Sequence, residues 1–87
     1  MNVRPFRIPR QIVLPGTVVQ VREVPALDPI LEGADGIWEY VDGTPTISLN
    51  SQMPLTRKRY LLLHELHHVI VDYLHEAIQS HSDKVKP

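Results

Sequence analysis

The chain has 87 residues, which is enough for one small domain with a single hydrophobic core and excludes a second domain. It contains no cysteine, so any metal ion would have to be bound by histidine, carboxylate or water rather than by thiolates. The 9 Lys and Arg residues nearly balance the 10 Asp and Glu residues, so the charge gives no support to nucleic acid binding or to attachment at a membrane surface.

The start of the chain, MNVRPFRIPRQIVL, lacks the continuous apolar segment of a secretory signal peptide, because Pro5 and Pro9 interrupt it. No apolar stretch approaches the roughly 20 residues that a membrane-spanning helix needs. We therefore expect a soluble, cytoplasmic protein without a membrane or nucleic acid partner.

Three β-strands are predicted in the first half of the chain, where most of the prolines and all four glycines lie. The first runs from about Thr17 to Val24 with an alternating pattern, and the segments GIWEYV and PTISLN are predicted as the next two. Asp42 and Gly43, between these two segments, offer the positive φ values of a tight hairpin. The segment VPALDPILEGADG is expected to form a longer loop after the first strand.

One long helix is predicted after the strands, since neither proline nor glycine occurs between Pro54 and Pro87. We place the sheet at residues 17–50, the helix at about 55–80 and a frayed tail at 82–87. The predicted fold class is α+β, a single domain over residues 1–87 in which a small antiparallel three-stranded sheet is followed by one long C-terminal helix.

The predicted helix has an apolar face and a polar face. At about 100° per residue, a broad apolar stripe suited to packing on a sheet is formed by Leu62, Leu66, Val69, Ile70, Tyr73 and Ala77. The opposite side collects His64, His68, Asp72 and His75. These histidines either line a site or belong to an ordinary solvated face; Leu61 and Val71 flank them, which favours partial cover.

His64, Glu65 and His68 form the motif H-E-x-x-H. Two histidines at positions i and i+4 lie one turn apart on one face, so their ring nitrogens can converge on one Zn²⁺ at about 2.0 to 2.1 Å each. The glutamate between them is displaced sideways, where it can take a proton from a water molecule at the metal rather than bind the metal itself. This division of roles predicts a zinc-dependent peptidase with Glu65 as general base.

A third metal ligand is not evident from the sequence, although catalytic zinc usually has three protein ligands and an open position. His75 lies about 16 Å along a straight helix from His64, too far to share its metal. Asp72, one turn beyond His68, is better placed to accept a hydrogen bond from the ring of His68 than to bind zinc. The remaining candidates are Glu76, His81, Asp83 and a residue of a second chain.

The consecutive basic residues Arg57, Lys58 and Arg59 fall in the first part of the predicted helix. There they face the positive end of the helix macrodipole, at a cost of a few tenths of a kcal/mol each. They form either a solvated edge or a contact for an anionic ligand.

The segment TPTISLN followed by RKRYLLLHELHHVI resembles the centre of the ImmA/IrrE-like metallopeptidases, in which a strand and a small polar turn lead through a basic, aromatic-containing turn into the H-E-x-x-H helix. The resemblance covers about residues 36–72. It implies a gluzincin-type fold with a zincin-like core, zinc ligands at His64 and His68, and Glu65 as the base. It also implies that an extended peptide pairs along the strand 46–50 as a sheet edge.

Members of this family often act on repressors or other regulatory proteins in bacteria, phages and mobile elements. Their third zinc ligand is normally a glutamate on a further helix, and we expect no further helix in this sequence.

Three interpretations remain open. The first is a minimal zinc peptidase with a protein or peptide substrate, whose site is completed by the tail or by a second copy in a homo-oligomer. The second is a catalytically incomplete module of the same fold that binds metal or a protein partner without turnover. The third is an interaction protein without metal, in which a helix lies on a sheet and the histidines are solvated.

Overall fold

The structure is a computed structural model that describes residues 7–85, with side chains described for residues 7–79. It contains four strands and one long helix, namely β1 (Gln11–Leu14), β2 (Thr17–Val24), β3 (Gly36–Val41), β4 (Thr44–Asn50) and α1 (Leu55–Val85). A single 3-10 turn, Pro29–Leu31, lies between β2 and β3. Across residues 7–85, no helix is both long and apolar enough to cross a membrane.

The sheet is four-stranded and mixed, so the predicted antiparallel three-stranded sheet is wrong in strand number and in one pairing. The strand order is β1-β2-β4-β3; β1 pairs with β2 and β3 with β4 in antiparallel fashion, while β2 and β4 are parallel. The parallel pair arises because the long connection after β2 carries the chain to the far edge of the sheet. The hairpin then returns β4 into the place between β3 and β2.

The strand missing from the prediction, β1, is held by a tight turn at Pro15 and Gly16. Gly16 has a φ of 85°, which is open to glycine and costly for other residues. Proline followed by a glycine of positive φ is the sequence of a type II turn, and this turn directs the short β1 back along β2. The predicted hairpin between β3 and β4 is confirmed, with φ of 51° at Asp42 and 81° at Gly43.

The hydrophobic core lies between β2, β4 and the helix. Its buried members are Val19, Val21, Ile47, Leu49, Leu61, Leu62 and Val69. Each of the larger side chains contributes on the order of 1.5 to 3 kcal/mol when it is removed fully from water. Of the predicted apolar stripe, Leu62 and Val69 are in this core and Leu66 packs against it, whereas Ala77 is exposed.

Strand β4 is buried along its length from Pro45 to Asn50. Its alternate side chains Ile47 and Leu49 join the core beneath the helix, and the 3-10 turn that carries the fully buried Leu31 also contacts this strand. Strand β4 also pairs with β2 along one edge and with β3 along the other, so both of its edges are covered.

The helix is fixed to the sheet at its start. The carbonyl of Pro54 accepts from the amide of Lys58 at 2.9 Å, which closes the first helical turn. The Lys58 ammonium pairs with Glu23 of β2 at 2.6 Å. Just before the helix, the side chain of Asn50 accepts from the Gln52 amide at 2.9 Å and so shapes the short turn from β4.

Two further contacts fix the helix along its length. Gly36 at the start of β3 lets Leu61 approach closely, because a β-carbon at Gly36 would lie 3.6 Å from that of Leu61. Further along, the Tyr73 hydroxyl donates to the carbonyl of Pro15 at 3.0 Å. The helix continues through Val85, past the predicted end at about residue 80. Of the expected frayed tail, residues 86–87 lie outside the described residues.

Candidate functional site

His64 and His68 are brought together on the exposed side of α1. Their Nε2 atoms lie 3.2 Å apart, and the two rings are nearly perpendicular, with centroids 4.7 Å apart and an interplanar angle of 78°. Both side chains are exposed, so they are free of the core, as the separation of the two helix faces predicted. Two imidazoles whose Nε2 atoms face each other in this way either share a proton or share a cation.

The separation of the two nitrogens fits a zinc ion. Tetrahedral Zn²⁺ binds histidine nitrogens at about 2.0 to 2.1 Å, which places two such ligands about 3.3 to 3.4 Å from each other. The observed 3.2 Å is close to that edge length. The separation of the two nitrogens therefore fits two corners of a zinc tetrahedron.

Within the part of the chain whose side chains are described, a third donor does not join this pair. Among the residues whose side chains are described, no group of three His, Asp or Glu side chains could hold a metal ion, so neither Asp72 nor Glu76 completes the pair. The side chains of the other two candidates, His81 and Asp83, lie outside the described side chains.

Glu65 is half-buried and turns towards β3 rather than towards the face that carries the histidine pair. Together with His68 it borders an open groove of about 440 Å³ whose remaining lining residues are Glu32, Ile37, Trp38 and Glu39. The Glu65 carboxylate and one histidine of the pair therefore lie at the same groove.

The sheet edge beside the histidine pair is β3. The sequence analysis assigned this role to the strand 46–50, and that assignment is wrong, because β4 pairs with β2 on one side and with β3 on the other. The prediction failed because the hairpin places β4 in the interior of the sheet, between β3 and β2, rather than at its edge. His68 accordingly lies beside the outer strand, and it does not point directly away from the sheet.

Strand β3 follows the helix on the side of the motif. At one end Gly36 meets Leu61, and at the other end the Tyr40 hydroxyl donates to Asp72 at 2.6 Å. The two spans match, since eleven helical residues advance about 16 Å and four strand residues about 13 Å. Trp38 lies between these two contacts, in the groove beside His68.

Asp72 has Tyr40 as its hydrogen-bond partner, whereas we expected it to accept from the ring of His68. The hydrogen bond to Asp72 is the main reason that the pKa of the Tyr40 phenol is raised, followed by desolvation and by the negative charges of Asp72 and Glu76. The carboxylate therefore joins the helix to the edge strand one turn beyond His68.

The basic residues at the start of the helix have separate contacts. The Arg57 guanidinium lies 5.3 Å from the centre of the Tyr60 ring, and the Tyr60 ring is stacked on His64 with centroids 6.2 Å apart. Lys58 forms the ion pair with Glu23, and Arg59 also has an interaction partner. Arg57 and Arg59 are exposed to solvent, whereas Lys58 is half-buried.

The sequence analysis missed Trp38, Tyr40 and Tyr60. For Tyr60 a signal was present, since it precedes His64 by four residues and so lies one turn away on the same face. Trp38 and Tyr40 share one face of β3, with ring centroids 5.3 Å apart, but their position next to the motif depends on the strand order, which local patterns do not contain.

The sequence matches the model of a known protein family. A family model described as the IrrE N-terminal-like domain, a peptidase family, matches residues 21–86, a longer segment than the 36–72 on which the resemblance was based. Neither the curated proteins nor the solved structures contain a match. Since the match covers most of the 87 residues and includes the motif helix, the chain belongs to the family of IrrE N-terminal-like peptidase domains.

Proposed function

We propose that this protein is a zinc-dependent metallopeptidase that hydrolyses peptide bonds in protein or peptide substrates. The observation that carries the proposal is the 3.2 Å separation of the Nε2 atoms of His64 and His68, in a chain that belongs to a peptidase family. The motif alone indicates zinc binding; the facing nitrogens add a distance that suits the ion.

His64 and His68 would hold the zinc ion through Nε2. When bound, zinc supplies a Lewis acid that polarises a carbonyl oxygen and makes a water molecule acidic near neutral pH. The Glu65 carboxylate accepts the proton of the attacking water and then delivers it to the departing amine nitrogen. For this task Glu65 must not bind the metal itself, which agrees with its place beside His68 at the groove.

The free edge of β3 is the part of the sheet that an extended peptide would pair with. It carries backbone N–H and C=O groups that point away from β4, next to the groove that Glu65 and His68 border. Backbone pairing along an edge strand holds a substrate in extended form with little dependence on its sequence. This replaces the proposal that the strand 46–50 serves as the edge.

A second candidate function is a metal-binding or protein-binding module without turnover. It is favoured by the absence of a third donor next to the pair among the side chains of residues 7–79. A second copy that donates a ligand in a homo-oligomer would instead complete the site and restore the peptidase. The two are distinguished by whether zinc-loaded protein cleaves peptides and by whether zinc binding depends on protein concentration.

Metal content tests both functions. Protein purified without a histidine tag should bind one zinc ion per site, and the double variant His64→Ala/His68→Ala should not bind it. His75→Ala is the matched control, because it removes an exposed histidine of the same helix that lies outside the pair. If wild type takes up no zinc and its melting temperature ignores added zinc, both metal-dependent functions are wrong and the interaction protein without metal remains.

The base is tested by Glu65→Gln, which keeps the shape of the side chain and removes its ability to accept a proton. We expect zinc binding to persist and cleavage of unfolded protein substrates to fall by at least about 100-fold. If zinc-loaded wild type cleaves nothing across a broad panel of unfolded proteins, the binding module is the correct function. If Glu65→Gln cleaves as fast as wild type, Glu65 is not the base.

A further inference from the structure

Tyr60 lies against the first histidine of the pair. It precedes His64 by one helical turn, and the two rings are stacked with an interplanar angle of 23° and centroids 6.2 Å apart. This is within the range of offset aromatic pairs. Tyr60 is 59% exposed, so it is not held in place by the hydrophobic core. The contact with His64 therefore accounts for the orientation of the ring better than core packing does.

Arg57 contacts the same tyrosine from the preceding turn. Its guanidinium carbon lies 5.3 Å from the centre of the Tyr60 ring, within the distance of a cation–π interaction. Arg57, Tyr60, His64 and His68 thus form a continuous row along one side of the helix, in which each member contacts the next. Arg57 on one side and His64 on the other restrict the positions that the Tyr60 ring can take.

A site with two histidine ligands depends strongly on how those side chains are oriented beforehand. An exposed imidazole samples several rotamers, and fixing it on binding costs free energy that a preset orientation avoids. His68 has a second ring beside it, since the His67 ring lies 6.2 Å away, whereas the aromatic neighbour of His64 on its other side is Tyr60. Loss of Tyr60 would leave His64 with the His68 ring as its remaining ring contact within the described side chains.

We propose that Tyr60, steadied by Arg57, is a positioning residue that holds the His64 imidazole in the orientation that binds metal. The inference rests on the proposed function, because it assigns a role in the same metal site. It requires the aromatic ring and not the hydroxyl, since the contact with His64 is between the two rings.

The test compares three variants of the full chain. Tyr60→Phe keeps the ring, Tyr60→Leu removes it, and Leu63→Ala is the control, because Leu63 is similarly exposed at 66% and takes part in no ring contact of the described row. Zinc affinity is measured by competition with a chelator, Co²⁺ is used as a spectroscopic probe of the ligand geometry, and the His64 ring signals of the metal-free protein are recorded by NMR.

We expect Tyr60→Phe and Leu63→Ala to bind zinc as wild type does, and Tyr60→Leu to bind it about two- to tenfold more weakly, the cost of ordering one side chain. The Co²⁺ absorption bands and the His64 ring signals should change in Tyr60→Leu alone. A residue with a merely structural role would lower the melting temperature and leave the affinity and the spectra unchanged.

The outcomes separate the inference from the proposed function. If wild type binds zinc and Tyr60→Leu binds it equally tightly, the positioning role is wrong and the metal site stands. If wild type binds no zinc, the proposed function fails and the inference fails with it. If Tyr60→Phe is as weak as Tyr60→Leu, the hydroxyl carries the effect and the stacking argument is overturned.

Discussion

The two long faces of α1 differ in what holds their side chains. On the face towards the sheet, Leu62 and Val69 are buried against β4 with exposures of 5% and 1%. On the histidine face, Tyr60 and His64 are exposed and stack on each other across one turn of the same helix. Hydrophobic burial fixes the first face, and ring contacts between successive turns fix the second.

Under the proposed function, this difference separates stability from metal binding within one helix. A ligand nitrogen must stay accessible to a metal ion and to a substrate, so it cannot obtain its orientation from burial. Its orientation must come from weak contacts that leave one side open. Substitutions on the sheet-facing side should therefore change the free energy of unfolding, and substitutions on the histidine face should change metal affinity with little effect on unfolding.

Leu49→Ala should have the largest effect on stability. Leu49 is fully buried in β4 beneath the helix, and truncation of such a leucine leaves a cavity that costs about 2 to 5 kcal/mol in the free energy of unfolding. Urea denaturation of the metal-free protein measures it. A loss below about 1 kcal/mol would mean that β4 is not the centre of the core.

Gly16→Ala should have the next largest effect. The substitution forces a residue with a β-carbon to a φ of 85°, and that atom would lie 2.4 Å from the Tyr73 hydroxyl, so this hydroxyl must shift from its place at the Pro15 carbonyl. We expect a loss of about 1 to 3 kcal/mol in the free energy of unfolding. Gly33→Ala is the matched control, because its φ of 82° is similar and nothing lies within 4 Å of the added atom. Equal losses in the two variants would show that the Tyr73 contact contributes nothing.

Tyr40→Phe should have a smaller effect, about 0.5 to 1 kcal/mol, because the hydrogen bond to Asp72 is exposed. The contribution of this hydrogen bond to stability depends on pH. Asp72 raises the pKa of Tyr40 in the folded protein above its ordinary value near 10, so folding favours the protonated phenol. The contribution is complete below about pH 10 and is lost as the pH rises through the raised pKa. Wild type should therefore lose stability above about pH 10 more steeply than Tyr40→Phe in urea denaturation, and parallel curves would contradict this.

His64→Ala should change the stability of the metal-free protein least, by no more than about 0.5 kcal/mol, because the side chain is exposed. The stabilisation that added zinc gives to wild type should disappear in this variant. Thermal denaturation with and without zinc measures both quantities. A large loss of stability without metal would show that the histidine face also contributes to the stability of the fold, as the sheet-facing side does.

Local sequence patterns predicted the elements of this fold well. Two predicted strands are present, namely Thr17–Val24 and Gly36–Val41. The hairpin and the long helix are also as predicted. These features depend on residues that are neighbours in the chain, so periodicity and turn residues are sufficient evidence. The short strand β1 was missed because four residues between prolines give a weak pattern, although Pro15 and Gly16 mark its turn.

The order of the strands was not predictable in the same way. Whether β4 lies at the edge or in the centre depends on the route of the connection at residues 25–35. This connection contains the fully buried Leu31, and its local sequence pattern does not reveal the route. For the site, the helical spacing of His64 and His68 was enough to predict that they meet. The neighbours contributed by β3 depend on the strand order, and so they became visible only in the folded chain.

The parallel pairing of β2 with β4 has a consequence for how the chain folds. The hairpin of β3 and β4 closes through Asp42 and Gly43, and such local closure takes microseconds. Pairing of β2 with β4 must instead close the whole intervening segment, from Val24 to Thr44, before any ladder bond forms. We therefore expect the hairpin to form first and β2 to dock later. Backbone groups of β2 and β4 that bond to each other should then become protected after those that join β3 to β4 in a pulsed hydrogen-exchange experiment, and the reverse order would exclude this route.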